Sequence, residues 1–409
     1  MKKEILGIDF NDLGTVLAFY GREKSVRIPT AVCWNKTSGS FCIGQEAYES
    51  LLDGNGIVTD KLLSFAENDG ITTIEGTKYS CDDLLKEFFS LSVDLAISSA
   101  EAGFPDEIVI AIPQIHPVLV KRIIGCFLKL GYLSSAVHVI SRSESFIYYI
   151  MSQTKEIRTN YVGLFSLENN SLTYYEMKVS QKVKNTLVYA EHEDMQEAFN
   201  LEILNTDSGK KLADKILTSC AQRVLNGKIF SGLILTGKGF ENLDWADEFM
   251  HYICGRKKIF VDDEAFARGA GYRGVDLISD NPAFNFLCIC DGRLDSSVFI
   301  DINKNDRVMA YPIAGIGDTW YDVNRTFALI PFDTDYLELI IIPMDSRKRR
   351  TVKIPLDFLP ARPSKTTKIR LEVSFLDSMT LTVDISDAGF GDIYPASDAH
   401  VHHEVRLWD

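Results

Sequence analysis

Long hydrophobic runs are missing from this chain. No apolar stretch approaches the roughly 20 residues that a membrane-spanning helix requires. The opening Met-Lys-Lys-Glu runs into a short strand and has no apolar core of signal-peptide type, so a cytoplasmic protein is expected. Cysteine is thinly spread: eight in 409 residues fall short of the density of a disulfide scaffold. Cys288 and Cys290 alternate with Leu287 and Ile289, which suits a buried strand rather than a metal clip. Positive charge is in deficit, with 43 Lys and Arg against 57 Asp and Glu and a net charge of −14. A nucleic-acid binder, whose affinity comes from neutralising phosphates, is not expected from that balance. No Ser-His-Asp, zinc-ligand or Walker-type spacing occurs either.

The chain is otherwise ordinary globular protein, 46% hydrophobic and 24% charged, long enough for two or three domains. Residues 5–20 read as strand, tight turn, strand. Ser80 and Asp83 form a capping box ahead of an apolar helical stripe through Leu84, Leu85, Phe88, Leu91 and Leu95. A strand follows at 107–112. Pro117 then opens a helix that Gly131 closes, and a short strand at 137–140 precedes a helix near 143–153. A second strand–turn–strand unit spans 161–179, followed by an amphipathic helix over 208–225, a strand at 232–236 and a small-residue helix. One order of elements thus occurs twice, which predicts a two-lobed, internally duplicated α/β domain. From about residue 284 only short alternating strands remain, the pattern of a β-sandwich.

Residues 261–271, Val-Asp-Asp-Glu-Ala-Phe-Ala-Arg-Gly-Ala-Gly, carry the sharpest local signal. Small residues at close intervals let a helix backbone approach its neighbours. This string, with four further segments in the same order, resembles the seventy-kilodalton heat-shock (DnaK-type) chaperones over nearly the whole chain. The resemblance implies an actin-like, ribonuclease-H-like duplicated domain at 1–274, with lobes of about 1–158 and 159–274. It further implies a linker at 275–283 and a β-sandwich resembling a substrate-binding domain at 284–409.

The phosphate-gripping segments depart from that family. The first loop reads Gly7-Ile8-Asp9-Phe10-Asn11-Asp12-Leu13-Gly14-Thr15. Asp9 matches the residue that organises magnesium, and Gly14 and Thr15 are retained, while Asp12 adds a repelling carboxylate. Lys61 falls where the family has the lysine that orients the attacking water. Arg142 stands at the catalytic glutamate position, with Glu144 two residues on. The second loop is Phe165-Ser166-Leu167-Glu168-Asn169-Asn170-Ser171 where the family has three glycines. Glycines there let backbone amides reach phosphate, and Glu168 supplies the wrong sign of charge. In the adenosine loop Gly237 and Asp263 remain, beside Lys238 and Gly239. The stretch between Val179 and Gly232 is much shorter than the family's helical subdomain.

The resemblance therefore implies a pseudo-ATPase: Asp9, Lys61 and Glu144 as vestigial catalytic positions, and Gly14, Thr15, Gly237 and Asp263 as a vestigial nucleotide site. No cofactor is expected, and no metal unless magnesium reaches Asp9. The leading expectation is a scaffold that binds a protein or peptide partner through the sandwich, weakly in the absence of a lid-length helical region. One alternative is a working ATP-dependent chaperone using Mg-ATP or Mg-ADP at a rearranged site of Asp9, Lys61 and Glu144. Another is an actin-like self-assembling structural protein. His400, His402 and His403 are expected on an exposed tail as incidental residues, Arg347–Arg350 as a solvated loop, and Phe390 and Trp408 as tail anchors.

Overall fold

The computed structural model describes residues 3–181, 186–255, 258–279, 284–304, 307–331, 334–344 and 349–408. The 280–282 turn of the expected linker, and Arg347 and Lys348 of the basic loop, lie outside them. The chain divides into two compact units, Met1–Phe286 and Leu287–Asp409.

The first unit opens with β1 (Ile5–Phe10), β2 (Thr15–Phe19) and β3 (Ser25–Ile28). A side sheet follows, made of β4 (Ala31–Asn35), β5 (Ser40–Ile43) and β6 (Gly56–Asp60), with α1 (Gly44–Leu52) between the last two. Then come α2 (Leu62–Glu67), the hairpin β7 (Ile71–Ile74) and β8 (Thr77–Ser80), and α3 (Cys81–Ala100). Ser80 and Asp83 form the expected reciprocal cap of α3. β9 (Glu107–Ile112), α4 (Pro117–Lys129), β10 (Val137–Ser141) and α5 (Arg142–Met151) complete this half, with Pro117 in the first turn of α4. The second half comprises β11 (Tyr161–Glu168), β12 (Ser171–Gln181), β13 (Thr186–Asp194), α6 (Asp207–Leu225), β14 (Phe230–Thr236), α7 (Asp247–Ile253), β15 (Lys258–Val261) and α8 (Ala265–Ile278).

The main sheets of the two halves have the same plan. In the first the order is β10-β9-β1-β2-β3, and in the second β15-β14-β11-β12-β13. In each, three strands run as an antiparallel meander, and two later strands extend the sheet in parallel from the first, β9 and β10 beside β1, β14 and β15 beside β11. The inner strands β1 and β9 are buried at every position, as strands covered on both faces must be. Residues 275–278, expected in the linker, form the last turn of α8 instead.

α8 is where small residues are required. A Cβ on Gly269 would lie 2.0 Å from the Ser145 carbonyl oxygen of α5, and one on Gly7 of β1 would lie 2.0 Å from the Ala267 carbonyl oxygen. Helix and strand therefore meet backbone to backbone.

In the second unit, β16 (Phe286–Ile289) starts at the boundary. β17 (Ser296–Lys304), β18 (Arg307–Ala314), β19 (Asn324–Leu329), β20 (Tyr336–Pro343), β21 (Arg350–Pro355), β22 (Lys368–Asp377), β23 (Thr380–Gly389) and β24 (His400–Arg406) follow. They form two antiparallel four-stranded sheets, β18-β17-β20-β21 and β19-β22-β23-β24. Three of these strands escape the sequence reading because their residues are largely exposed and carry no clean alternation: β18, β19 and β24. The histidines expected on a tail lie in β24, where His402 Nδ1 sits 2.8 Å from Asp384 Oδ1 on the paired strand. Of the expected anchors, Trp408 donates its indole N–H to Ser296 Oγ at 2.8 Å, while Phe390 is 42% exposed. Arg362 grips Asp387 through two hydrogen bonds of 2.8 and 2.7 Å.

Gly269→Ala is expected to destabilise the full chain by about 1–3 kcal/mol through overpacking against Ser145. Gly125→Ala, on α4 with nothing within 4 Å of its added Cβ, should instead be neutral or stabilise by up to about 1 kcal/mol. Urea-denaturation midpoints of the two variants check the contrast.

Candidate functional site

Asp9 is the next-to-last residue of β1, and α5 begins at Arg142. Ser141 caps α5 by accepting the Glu144 N–H at 3.1 Å, which fixes the first turn and places Arg142 beside Asp9. Arg142 Nε donates to Asp9 Oδ1 at 2.7 Å and an Nη to Oδ2 at 2.8 Å, a bidentate fork. Both residues are buried, at 7% and 5% exposure. Burial works against the guanidinium charge, but Asp9, together with Tyr175, holds its pKa above the ordinary value. The guanidinium also lies over the Phe266 ring, 4.8 Å from its centroid.

In front of this pair opens a cavity of about 330 Å³. Its floor is one face of three neighbouring strands: Ser166 and Glu168 of β11, Ser171, Thr173 and Tyr175 of β12, and His192 and Asp194 of β13. These residues are direct cross-strand neighbours, Ser166 with Thr173, Glu168 with Ser171, Thr173 with Asp194, and Tyr175 with His192. The period-2 rule puts them on one side of the sheet. Asn11, Asp12 and Leu13 of the β1–β2 turn, Leu63 and Glu67 of α2, Pro113, Gln114 and Arg142 form the rest of the wall.

In two of the loops that the resemblance assigns to phosphate or adenosine, backbone amides are engaged by a side-chain oxygen. Asn11 Oδ1 accepts from Leu13 N at 2.9 Å and from Gly14 N at 3.2 Å. Asp263 Oδ1 accepts from Gly237 N at 3.0 Å. Asp12 reaches across to α2, accepting from Ser64 N at 2.9 Å and from the Ser64 hydroxyl.

The sequence-derived positions do not converge. Lys61 is exposed, holds a left-handed backbone conformation just before α2, and is not part of the cavity wall. Glu144 is buried against Arg273, 3.2 Å from its Nε, and does not line the cavity. Thr15 is fully buried, its hydroxyl 2.7 Å from that of Thr30. Gly14 closes the Asn11 turn. Gly237 and Asp263 bond to each other, with Arg27 donating to the Asp263 carbonyl at 3.0 Å. Burial pushes the Asp263 carboxyl up, although Arg27 opposes it. Both carboxylate oxygens of Asp9 are held by the Arg142 guanidinium.

The residues present do not fit Mg-ATP. The Arg142 guanidinium occupies both Asp9 oxygens, the amides of Leu13, Gly14 and Gly237 are taken by side chains, and Asp12, Glu67, Glu168 and Asp194 face the cavity. Burial pushes the carboxyls of Glu168 and Glu67 above their usual range, Arg142 and Arg27 opposing at Glu168, and His116 at Glu67. Thr173, Tyr175, His192 and Asp194 are lining residues that motif reading misses. Their signal is the alternation along β12 and β13, legible only once the register is known.

Residues 15–291 match a family of unknown function (DUF5716), over its C-terminal part, and residues 293–407 match a domain of unknown function (DUF8552). The chain belongs to the DUF5716 family. No curated protein matches the chain. Among the described residues, no helix is long and apolar enough to cross a membrane.

Arg142→Ala leaves the Asp9 carboxylate buried and unpaired, so a loss of about 3–5 kcal/mol is expected in chemical denaturation. The double replacement Asp9→Leu/Arg142→Met removes both charges and should cost markedly less.

Proposed function

We propose that this protein is a nucleotide-independent relative of the DnaK-type chaperones, an actin-like two-lobed unit followed by a β-sandwich, acting as a protein- or peptide-binding scaffold. The observation that carries this reading is the buried Asp9–Arg142 fork, in which a tethered cation stands where a catalytic metal would be organised. The engaged loop amides support it, as does the strand order that the two main sheets share over five strands. An ATPase built from Asp9, Lys61 and Glu144 lacks the convergence that catalysis needs.

The binding surface we assign is the edge of the second unit. β18 ends its sheet and exposes Val308, Met309 and Tyr311 at 73%, 46% and 43%. Tyr311 packs edge-on against Phe327 of β19, the end strand of the other sheet. An apolar end strand with unpaired backbone groups is the template for strand addition by an extended partner.

Calorimetric titration of the full chain with Mg-ATP and Mg-ADP tests the first claim. The expected affinity is no tighter than about 1 mM, roughly −4 kcal/mol, with no change in melting temperature; a micromolar dissociation constant overturns the reading. For the second claim, Val308→Lys/Tyr311→Lys in the full chain should abolish capture of partners that the unsubstituted protein retains in pull-downs. Undiminished capture places the surface elsewhere.

A further inference from the structure

The cavity of the first unit has acceptor chemistry, the reverse of a phosphate pocket. Asp12, Glu67, Glu168 and Asp194 line it, while Arg142, the only guanidinium among its lining residues, is committed to Asp9. Asp12 accepts from Ser64 and Asp194 from the Thr173 hydroxyl at 2.8 Å, while the Arg142 and Arg27 guanidiniums attract Glu168 through space, without a hydrogen bond. Among the described residues none of the four forms an ion pair.

Ser166 supplies an observation independent of charge. It is 4% exposed, lines the cavity, and its hydroxyl has no hydrogen-bond partner among the described residues. Hydroxyls in nearly inaccessible residues are normally satisfied, so an unpaired one facing a cavity marks a place where a polar group from outside fits, an ammonium donor among them. The shape of the site narrows the donor. Among the described residues no group of His, Cys, Asp or Glu side chains is gathered to hold a metal ion. The four carboxylates are instead distributed around a space of about 330 Å³, at the small end of the roughly 300–1,000 Å³ of small-molecule sites. Separated acceptors of this kind suit an extended ligand with two or more separate positive ends. A primary ammonium has three donors and no acceptor, which matches carboxylate and hydroxyl oxygens alike.

We propose that this cavity binds a small aliphatic di- or polyamine, its ammonium groups held by the carboxylates of Glu168 and Asp194 and the hydroxyl of Ser166, with Asp12 and Glu67 at the other wall. The proposal rests on the reading of the cleft as closed to polyphosphate and is independent of partner binding by the second unit.

The test is calorimetry of the full chain with putrescine and spermidine at fixed ionic strength, with thermal shifts measured against sodium chloride of matched ionic strength. One saturable site is expected, weakened at least tenfold in Glu168→Gln/Asp194→Asn. It should be unchanged in Glu23→Gln/Glu241→Gln, which removes the same charge from exposed positions. Ser166→Ala, which removes a single hydroxyl and no charge, should weaken binding severalfold and provides the readout if the double variant fails to fold. Absence of a site, equal weakening in both double variants, or disappearance of the thermal shift against matched salt overturns the proposal. The last two outcomes would reveal only the general attraction of a chain with net charge −14 for polycations. A parallel Mg-ATP arm separates the two levels: micromolar ATP affinity sinks the reading of the cleft, whereas failure of both ligands sinks the amine alone.

Discussion

A carboxylate at the end of β1 has to be neutralised inside the protein, and in this chain a side chain does it. Asp9 and Arg142 are 133 residues apart and both nearly inaccessible, so neither can be charged without the other at an acceptable cost. The fork ties the tip of the first strand to the first turn of α5. α5 in turn lies against α8 closely enough that Gly269 has no room for a Cβ. A bound metal would make the same neutralisation conditional on ligand concentration. A covalently tethered guanidinium makes it permanent.

The rest of the cleft is consistent with that arrangement. Asn11 and Asp263 occupy loops in different halves, yet each places an oxygen on a backbone amide that an open glycine-rich loop would leave free. Satisfied amides stabilise the turns without any ligand. On the proposed reading, the direction in which these polar groups point disfavours polyphosphate and favours a cationic ligand through a single cause.

The second unit solves a different problem. Asp387 is buried at the end of β23, and burial pushes its carboxyl up. The Arg362 fork and the hydrogen bonds from Gly389 and Ser397 outweigh that and hold it well below the usual carboxylate range. Those bonds fix the segment that leads into β24. β18 ends its sheet with apolar side chains in the open, an arrangement that proteins usually blunt with charge or a covering element.

Alternation, caps and turn residues determined most of the elements from the sequence. The Ser80 capping box, Pro117 at the start of α4 and the repeated strand–turn–strand units are local features, set by neighbours a few residues away. The close approach of α8 was legible too, since only small side chains permit it. β18, β19 and β24 were not legible, because end strands with exposed residues are formed by backbone pairing and leave little hydrophobic period behind. The fate of the site residues was decided by tertiary structure alone. The family resemblance matched Lys61 and Glu144 to catalytic positions, but a left-handed turn leaves Lys61 exposed and Arg273 engages Glu144. Nothing local joins Asp9 to Arg142, or sets Thr173 and Tyr175 beside Asp194 and His192. Those contacts come from strand register and from the packing of α5, which act across scores of residues and leave no periodic trace in the chain.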